Sequence, residues 1–343
     1  MPQPIRILSI DGGGIRGILP GQILVSLEKK LQVRSGNPNA RIADYFDLLA
    51  GTSTGGILTC IYLSPDGNGK PRFTAQDAVD LYLKQGSQIF HADIKQKIIS
   101  LGGLSDEKYP VKNLETDLKQ YFGETKLSEL IKPCVITSYN ITQRYAHFFR
   151  SHKAKNDNTH DFFVRDVTRA TSAAPTYFQP AKISSLAGVS YPLVDGGVFA
   201  NNPALCAFAE ARQFFSTSNK DASIDNMFLV SIGTGLKNGL ELPQYSYDKA
   251  QHWGLIGWAR PVLDIMMAGV NETVDYQLKQ MFDSVGKPEN YFRLMPNIQR
   301  ANTDMDDAAP KNLQFLKEDG IEAAQKFDAE LEKIAAFLTG KAN

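Results

Sequence analysis

Two hydrophobic patterns alternate along this 343-residue chain: short, mostly apolar runs, and apolar positions spaced four apart. Ile5–Ile10 is a short apolar run that stops at glycines, the pattern of a strand buried on both faces. From Gly17 to Val33, Ile23, Leu27 and Leu31 fall on one face of a predicted helix. Phe46–Ala50 predicts a second strand, and a helix follows from Thr54 to about Leu63. The same reading predicts strands at Pro133–Ile141, Tyr191–Val194 and Met227–Ile232. It predicts helices at Phe162–Ala173 and at Pro203–Phe215, the latter with proline in its first turn. Beyond Gly254 the pattern is mostly helical. Strands alternating with helices imply an α/β class with a largely parallel central sheet.

Composition narrows the class. Hydrophobic residues make up 43% and charged residues 22%, so a sizeable core needs no metal or disulfide to hold it. The length exceeds the usual single-domain range of roughly 100–200 residues, although single α/β domains often run longer. Lysine plus arginine and aspartate plus glutamate both number 37. That balance gives no support for a nucleic-acid partner and argues against charge-driven adhesion to anionic membranes. Cys60, Cys134 and Cys206 have neither metal nor redox spacing and read as buried free thiols in a reducing compartment. No signal peptide is visible, and no run approaches the ~20 apolar residues of a membrane span. The expected location is the cytoplasm. The segment "DGNGK" at 66–70 lacks what a calcium loop requires and reads as a turn. The acidic stretch at 303–310 reads as a cap and loop before the last helix.

Three motifs stand at predicted strand ends, where α/β sheets gather ligands: Asp11-Gly-Gly-Gly-Ile-Arg-Gly17, Gly51-Thr-Ser-Thr-Gly55 and Asp195-Gly-Gly197. Gly12-x-Gly14-x-x-Gly17 matches a dinucleotide fingerprint, but the second strand ends in Ala50-Gly51 rather than in an acidic ribose ligand. The better reading is an oxyanion hole from the N–H groups of Gly12, Gly13 and Gly14, joined by Thr54. Gly51 and Gly55 flank Ser53 as in a strained strand-to-helix turn that exposes a nucleophile.

A serine nucleophile needs a base. His152 and His160 flank a polar stretch that reads as a solvated loop, His91 lies in a polar helix, and His147 in a strand. His252 completes a Ser53…Asp195…His252 order, but no strand end aims its ring. Asp195 ends a strand, and Gly196 and Gly197 leave room beside its carboxylate. Beside Ser53 it could accept the proton directly, and partial burial would make it a stronger base. Arg16 suits a lipid phosphate, or is simply a solvated arginine at a helix start. Both tryptophans, Trp253 and Trp258, lie in residues 252–269 with Leu255, Ile256, Val262, Leu263, Ile265, Met266 and Met267. This is either a core helix or a mobile wall at the mouth of the site that docks on lipid.

The three motifs together resemble those of the patatin-like phospholipases. "ARIADYFDLLAGTSTGG", "ATSAAPTYFQP", "VDGGVFANNPA" and "DMDDA" extend the resemblance to plant patatins and their bacterial relatives over nearly the whole chain. It implies a three-layer fold in one domain, 1–343, with a catalytic core over about 5–235 and C-terminal helices over about 254–340 packed on it. It also implies a Ser53–Asp195 dyad without histidine, no metal or cofactor, and an acyl-lipid substrate met at a membrane surface without a transmembrane span. An acyltransferase using the same acyl-enzyme, or a storage protein with vestigial esterase activity, are the alternatives. The chain also resembles bacterial antiviral phospholipases, some of them ligand-gated, so a small-molecule activator is a partner of unknown identity.

Overall fold

The computed structural model describes residues 4–89, 111–217, 221–237 and 246–340. Eight strands form one sheet: β1 (Ile5–Ile10), β2 (Leu48–Thr52), β3 (Cys134–Asn140), β4 (Tyr145–Arg150), β5 (Ala181–Ser184), β6 (Ser190–Asp195), β7 (Met227–Ile232) and β8 (Tyr291–Leu294). Their order is β5-β6-β3-β2-β1-β7-β8, with β4 also on β3. The pairs β3–β2, β2–β1, β1–β7 and β7–β8 are parallel, and β4, β5 and β6 join antiparallel. β8 lies beyond residue 254, so the sheet takes in one strand from the segment expected to be mostly helical.

The helices are α1 (Ile18–Ser35), α2 (Ile42–Tyr45), α3 (Thr54–Leu63), α4 (Ala75–Ile89), α5 (Val111–Phe122), α6 (Ser151–Ala154), α7 (Val164–Thr171), α8 (Gly197–Ala200), α9 (Ala204–Ser216), α10 (Tyr247–Ala250), α11 (Leu255–Ser284), α12 (Pro310–Lys326) and α13 (Asp328–Thr339). Side chains alternate across the sheet, because a strand turns successive residues to opposite faces. Leu8 and Ile10 of β1, with Phe228, Val230 and Ile232 of β7, join the core formed with α1, α3, α12 and α13. Ile5 and Ile7, with Met227 and Leu229, join a second core against α9 and the end of α11. The sheet is thus the middle of three layers, and its central strands are apolar on both faces.

The antiparallel strand β6 positions the site. β2 pairs with the first part of β3, Cys134–Thr137, and β6 with the rest, Ser138–Asn140. β4 pairs with Val135–Asn140, so β2 and β6 share the other side of β3. Because they run in opposite senses, their carboxyl ends meet head-on. Thr52 stands opposite Thr137 and Asp195 opposite Ser138, so the residue after β2 and the last residue of β6 arrive at one place.

Candidate active site

Ser53 sits between β2 and α3 with φ 54° and ψ −121°, a backbone conformation an L-residue adopts only at a cost of about 1–3 kcal/mol. The flanking glycines make the turn possible. A Cβ on Gly51 would lie 2.2 Å from the Gly55 carbonyl oxygen, and one on Gly55 would lie 2.1 Å from that of Ile10. The Ser53 N–H donates to Thr171 Oγ1 at 2.9 Å, and the Thr171 hydroxyl donates to the Thr137 carbonyl at 2.6 Å. The last turn of α7 thereby ties the strained serine to β3.

Asp195 is 4% exposed. Its Oδ1 accepts the Gly197 N–H at 2.7 Å, and the Ser53 side chain lies beside the carboxylate. Burial raises its pKa to about 7, with the Ser53 side chain and the Gly197 N–H pulling the other way. Gly196 is required because a Cβ there would lie 2.0 Å from Thr137 Oγ1.

The glycine loop is fixed at both ends. Asp11, fully buried, takes a two-pronged ion pair from Arg293 of β8 at 2.9 and 2.5 Å. Burial raises the Asp11 pKa, and the Arg293 guanidinium opposes that shift. The Ile15 N–H donates to the Met305 carbonyl at 2.8 Å. Between these anchors protein atoms fill the space a side chain would need. A Cβ would lie 2.4 Å from Asn201 Oδ1 at Gly12, 2.3 Å from Thr234 Oγ1 at Gly13 and 2.1 Å from the Met305 carbonyl at Gly14. Likewise Gly17 is needed because Thr54 Oγ1 would lie 2.2 Å away. The glycines therefore serve close packing of the loop against its supports.

Two expectations for this loop need correction. The Gly12 N–H is committed to the Asn201 carbonyl at 3.0 Å, so it does not join an oxyanion hole. Arg16 is half-buried and turned back on its own loop, its Nε donating to the Gly13 carbonyl at 3.3 Å, and it does not line the cavity. Burial lowers its pKa against the opposing field of Asp264.

A cavity of about 490 Å³ opens over Ser53, Thr54, Asp195, Gly13 and Gly14. Its walls are mostly apolar and include Ile57, Tyr177, Phe178, Met266, Met267 and Met305. Met305 belongs to the acidic stretch expected to be only a cap and loop. Asp307 Oδ1 does accept the Ala309 N–H at the start of α12, but the same loop also reaches the site.

None of the described histidines lines this cavity. His147 is packed among Phe149, Phe162 and Tyr191, and burial lowers its pKa to about 4. His152 is buried rather than solvated, because its Nε2 pairs with Glu210 Oε1 at 2.9 Å. His160 pairs with Asp157 on the surface, and His252 is exposed in the turn before α11. His91 lies outside the described residues. Among the described residues no group of three histidine, cysteine or carboxylate side chains is arranged to hold a metal.

The first half of α11 divides between the cavity and the surface. Met266 and Met267 line the cavity, while Trp258, Val262, Ile265 and Met266 are exposed at 40–53%. Trp253 packs edge-on against Trp258 with ring centres 5.0 Å apart. The side chains of Leu255, Ile256 and Leu263 lie outside the described ones. No helix among the described residues is long and apolar enough to cross a membrane.

The patatin-like phospholipase family model matches residues 8–208, which hold all three motifs. Patatin-like protein 1 of Arabidopsis thaliana is 36% identical over 337 residues, covering 92% of this chain and 80% of its own length. Patatin group J-1 of Solanum tuberosum is 33% identical over 362 residues, covering 99% and 91%. The chain belongs to the patatin-like phospholipase family, whose members are generally lipid acyl hydrolases.

Proposed function

We propose that the protein is a serine acyl hydrolase of the phospholipase A or lysophospholipase type, cleaving fatty-acyl esters of glycerolipids through a Ser53–Asp195 dyad. The observation that carries this reading is the Ser53 side chain beside the buried Asp195 carboxylate, both bordering one apolar cavity. An ordinary aspartate is too weak a base for an alcohol, and the raised pKa of Asp195 brings it close to neutral pH. Ser53 attacks the ester carbonyl as Asp195 takes its proton. The tetrahedral oxyanion is held by N–H groups of Gly13, Gly14 and Thr54, all of which border the cavity. The adduct collapses as Asp195 returns the proton to the leaving alcohol. Water, deprotonated by Asp195, then releases the fatty acid from the Ser53 ester. Every proton is carried by Asp195, so this route draws on no cofactor.

The exposed apolar surface of α11 is the contact with the lipid aggregate. Its continuity with the cavity through Met266 supports this, and a chain without net charge needs apolar contacts to hold a lipid surface. Three free thiols, two of them buried, agree with a reducing compartment. We read residues 1–343 as one domain, because β8 joins the sheet built by the earlier segments.

The test is mass spectrometry of products from mixed phospholipids, with Ser53→Ala as control. Free fatty acid and lysophospholipid are expected from the wild type and neither from the variant. Release by Ser53→Ala at the wild-type rate would end this reading. Acyl transfer to an added alcohol at the expense of free acid would favour the acyltransferase reading of the same site.

A further inference from the structure

Gly12 is held on both sides of its peptide. Its carbonyl oxygen accepts the Thr234 hydroxyl at 2.6 Å, from a residue 222 positions away, and Asn201 Nδ2 approaches the same oxygen at 3.4 Å. Thr234 follows β7, is buried, and sits where a Cβ on Gly13 would stand. All peptide bonds described are trans, so the N–H of Gly13 points opposite to the carbonyl of Gly12. With that carbonyl drawn back onto Thr234, the N–H of Gly13 is turned the other way, towards the cavity its backbone borders.

We propose that Thr234 is a positioning residue of the oxyanion hole, its hydroxyl fixing the Gly12–Gly13 peptide plane so that the Gly13 N–H faces the developing oxyanion. This rests on the hydrolase reading of Ser53. Without the hydroxyl, only the longer Asn201 contact restrains the plane, and the donor loses its aim rather than its existence. Removing an oxyanion donor outright lowers kcat by about 10²–10³. A loosened donor loses less, about 10-fold. Substrate binding is set by the apolar walls and is not altered.

The experiment compares Thr234→Val, which keeps the shape and removes the hydroxyl, with Thr234→Ser, which keeps the hydroxyl. The substrate is a short soluble p-nitrophenyl ester. A p-nitrophenyl alkylphosphonate serves as the covalent reagent, because its adduct mimics the tetrahedral state. Thr234→Val is expected to lose about 10-fold in kcat with KM within about 2-fold, and to react with the phosphonate about 10-fold more slowly. Thr234→Ser is expected to restore most of both rates. Should Thr234→Val fail to fold, Thr234→Ala is read instead, with the same losses expected. A folded hydroxyl-less variant with kcat within 2-fold of wild type would overturn the inference, as would equal losses in the valine and serine variants. Ser53→Ala runs alongside: if it keeps turnover and phosphonate labelling, the hydrolase reading itself fails. If it is inert while Thr234→Val behaves as wild type, only the positioning role is refuted.

Discussion

Asp195→Asn should abolish turnover and, at alkaline pH, stabilise the protein. The Asp195 pKa is raised from 3.8 to about 7 by burial, so folding favours its protonated form. Below about pH 4 the carboxyl is protonated in both folded and unfolded chains, and the perturbed pKa makes no difference to stability. Between about pH 4 and pH 7 the unfolded chain releases the proton while the folded one keeps it, so stability falls as pH rises. Above about pH 7 both are ionised and the loss is complete. About three pH units at ~1.4 kcal/mol each give a deficit of about 4 kcal/mol. Asparagine keeps an amide oxygen for the Gly197 N–H, and it has no charge to bury. The variant should therefore exceed wild type by about 2–4 kcal/mol at pH 8.5 and match it near pH 4. At about 2 °C per kcal/mol for a chain of this size, its Tm at pH 8.5 rises by roughly 4–8 °C. Urea unfolding and calorimetry at both pH values measure this, and the variant-minus-wild-type difference cancels every other titrating group. An equal Tm at pH 8.5, or the same gain at both pH values, would refute the argument.

Two further outcomes follow from the site. The acid limb of kcat/KM should fall near pH 7 as Asp195 protonates, a position that imitates histidine; it should persist in His147→Gln, His152→Gln, His160→Gln and His252→Gln, and its loss in any one of them would reassign the base. The double variant Trp253→Ser with Trp258→Ser should weaken vesicle binding and phospholipid turnover while sparing a short soluble ester; equal loss on both substrates, with a lower Tm, would make these rings part of the core instead.

The parts of the fold that the sequence predicts well are those whose environment repeats along the chain. β1 and β7 match their predicted bounds because both faces are largely buried and the runs are mostly apolar, broken only by Arg6, Ser9 and Ser231. The turn at Ser53 is readable because its two glycines and its strand and helix lie within a few residues. β5 and β8 escape notice because each has only four residues, too few to show a period. Asp195 is visible as a strand end, but the reversal of β6 that delivers it to Ser53 has no local signature. Thr171, Asn201, Thr234 and Arg293 act through long-range bonds, and a small polar residue or a lone arginine carries no pattern that marks such a bond. The polar run after His152 suggests exposure, yet Glu210, 58 residues on, closes over the ring.

The head-on meeting of β2 and β6 bears on which part of the molecule opens most readily. β6 touches β3 through three residue pairs, from Leu193 with Asn140 to Asp195 with Ser138. The parallel ladder of β2, β1 and β7 makes no use of those pairs, and both cores are built largely around it. That pairing is short, three residue pairs against six between β1 and β7, so it opens at less cost than the ladder. It follows that a chain can hold most of its secondary structure while Ser53 still lacks its carboxylate. Reactivity at that serine then reports whether the short β3–β6 edge is closed, which circular dichroism of the whole sheet hardly registers.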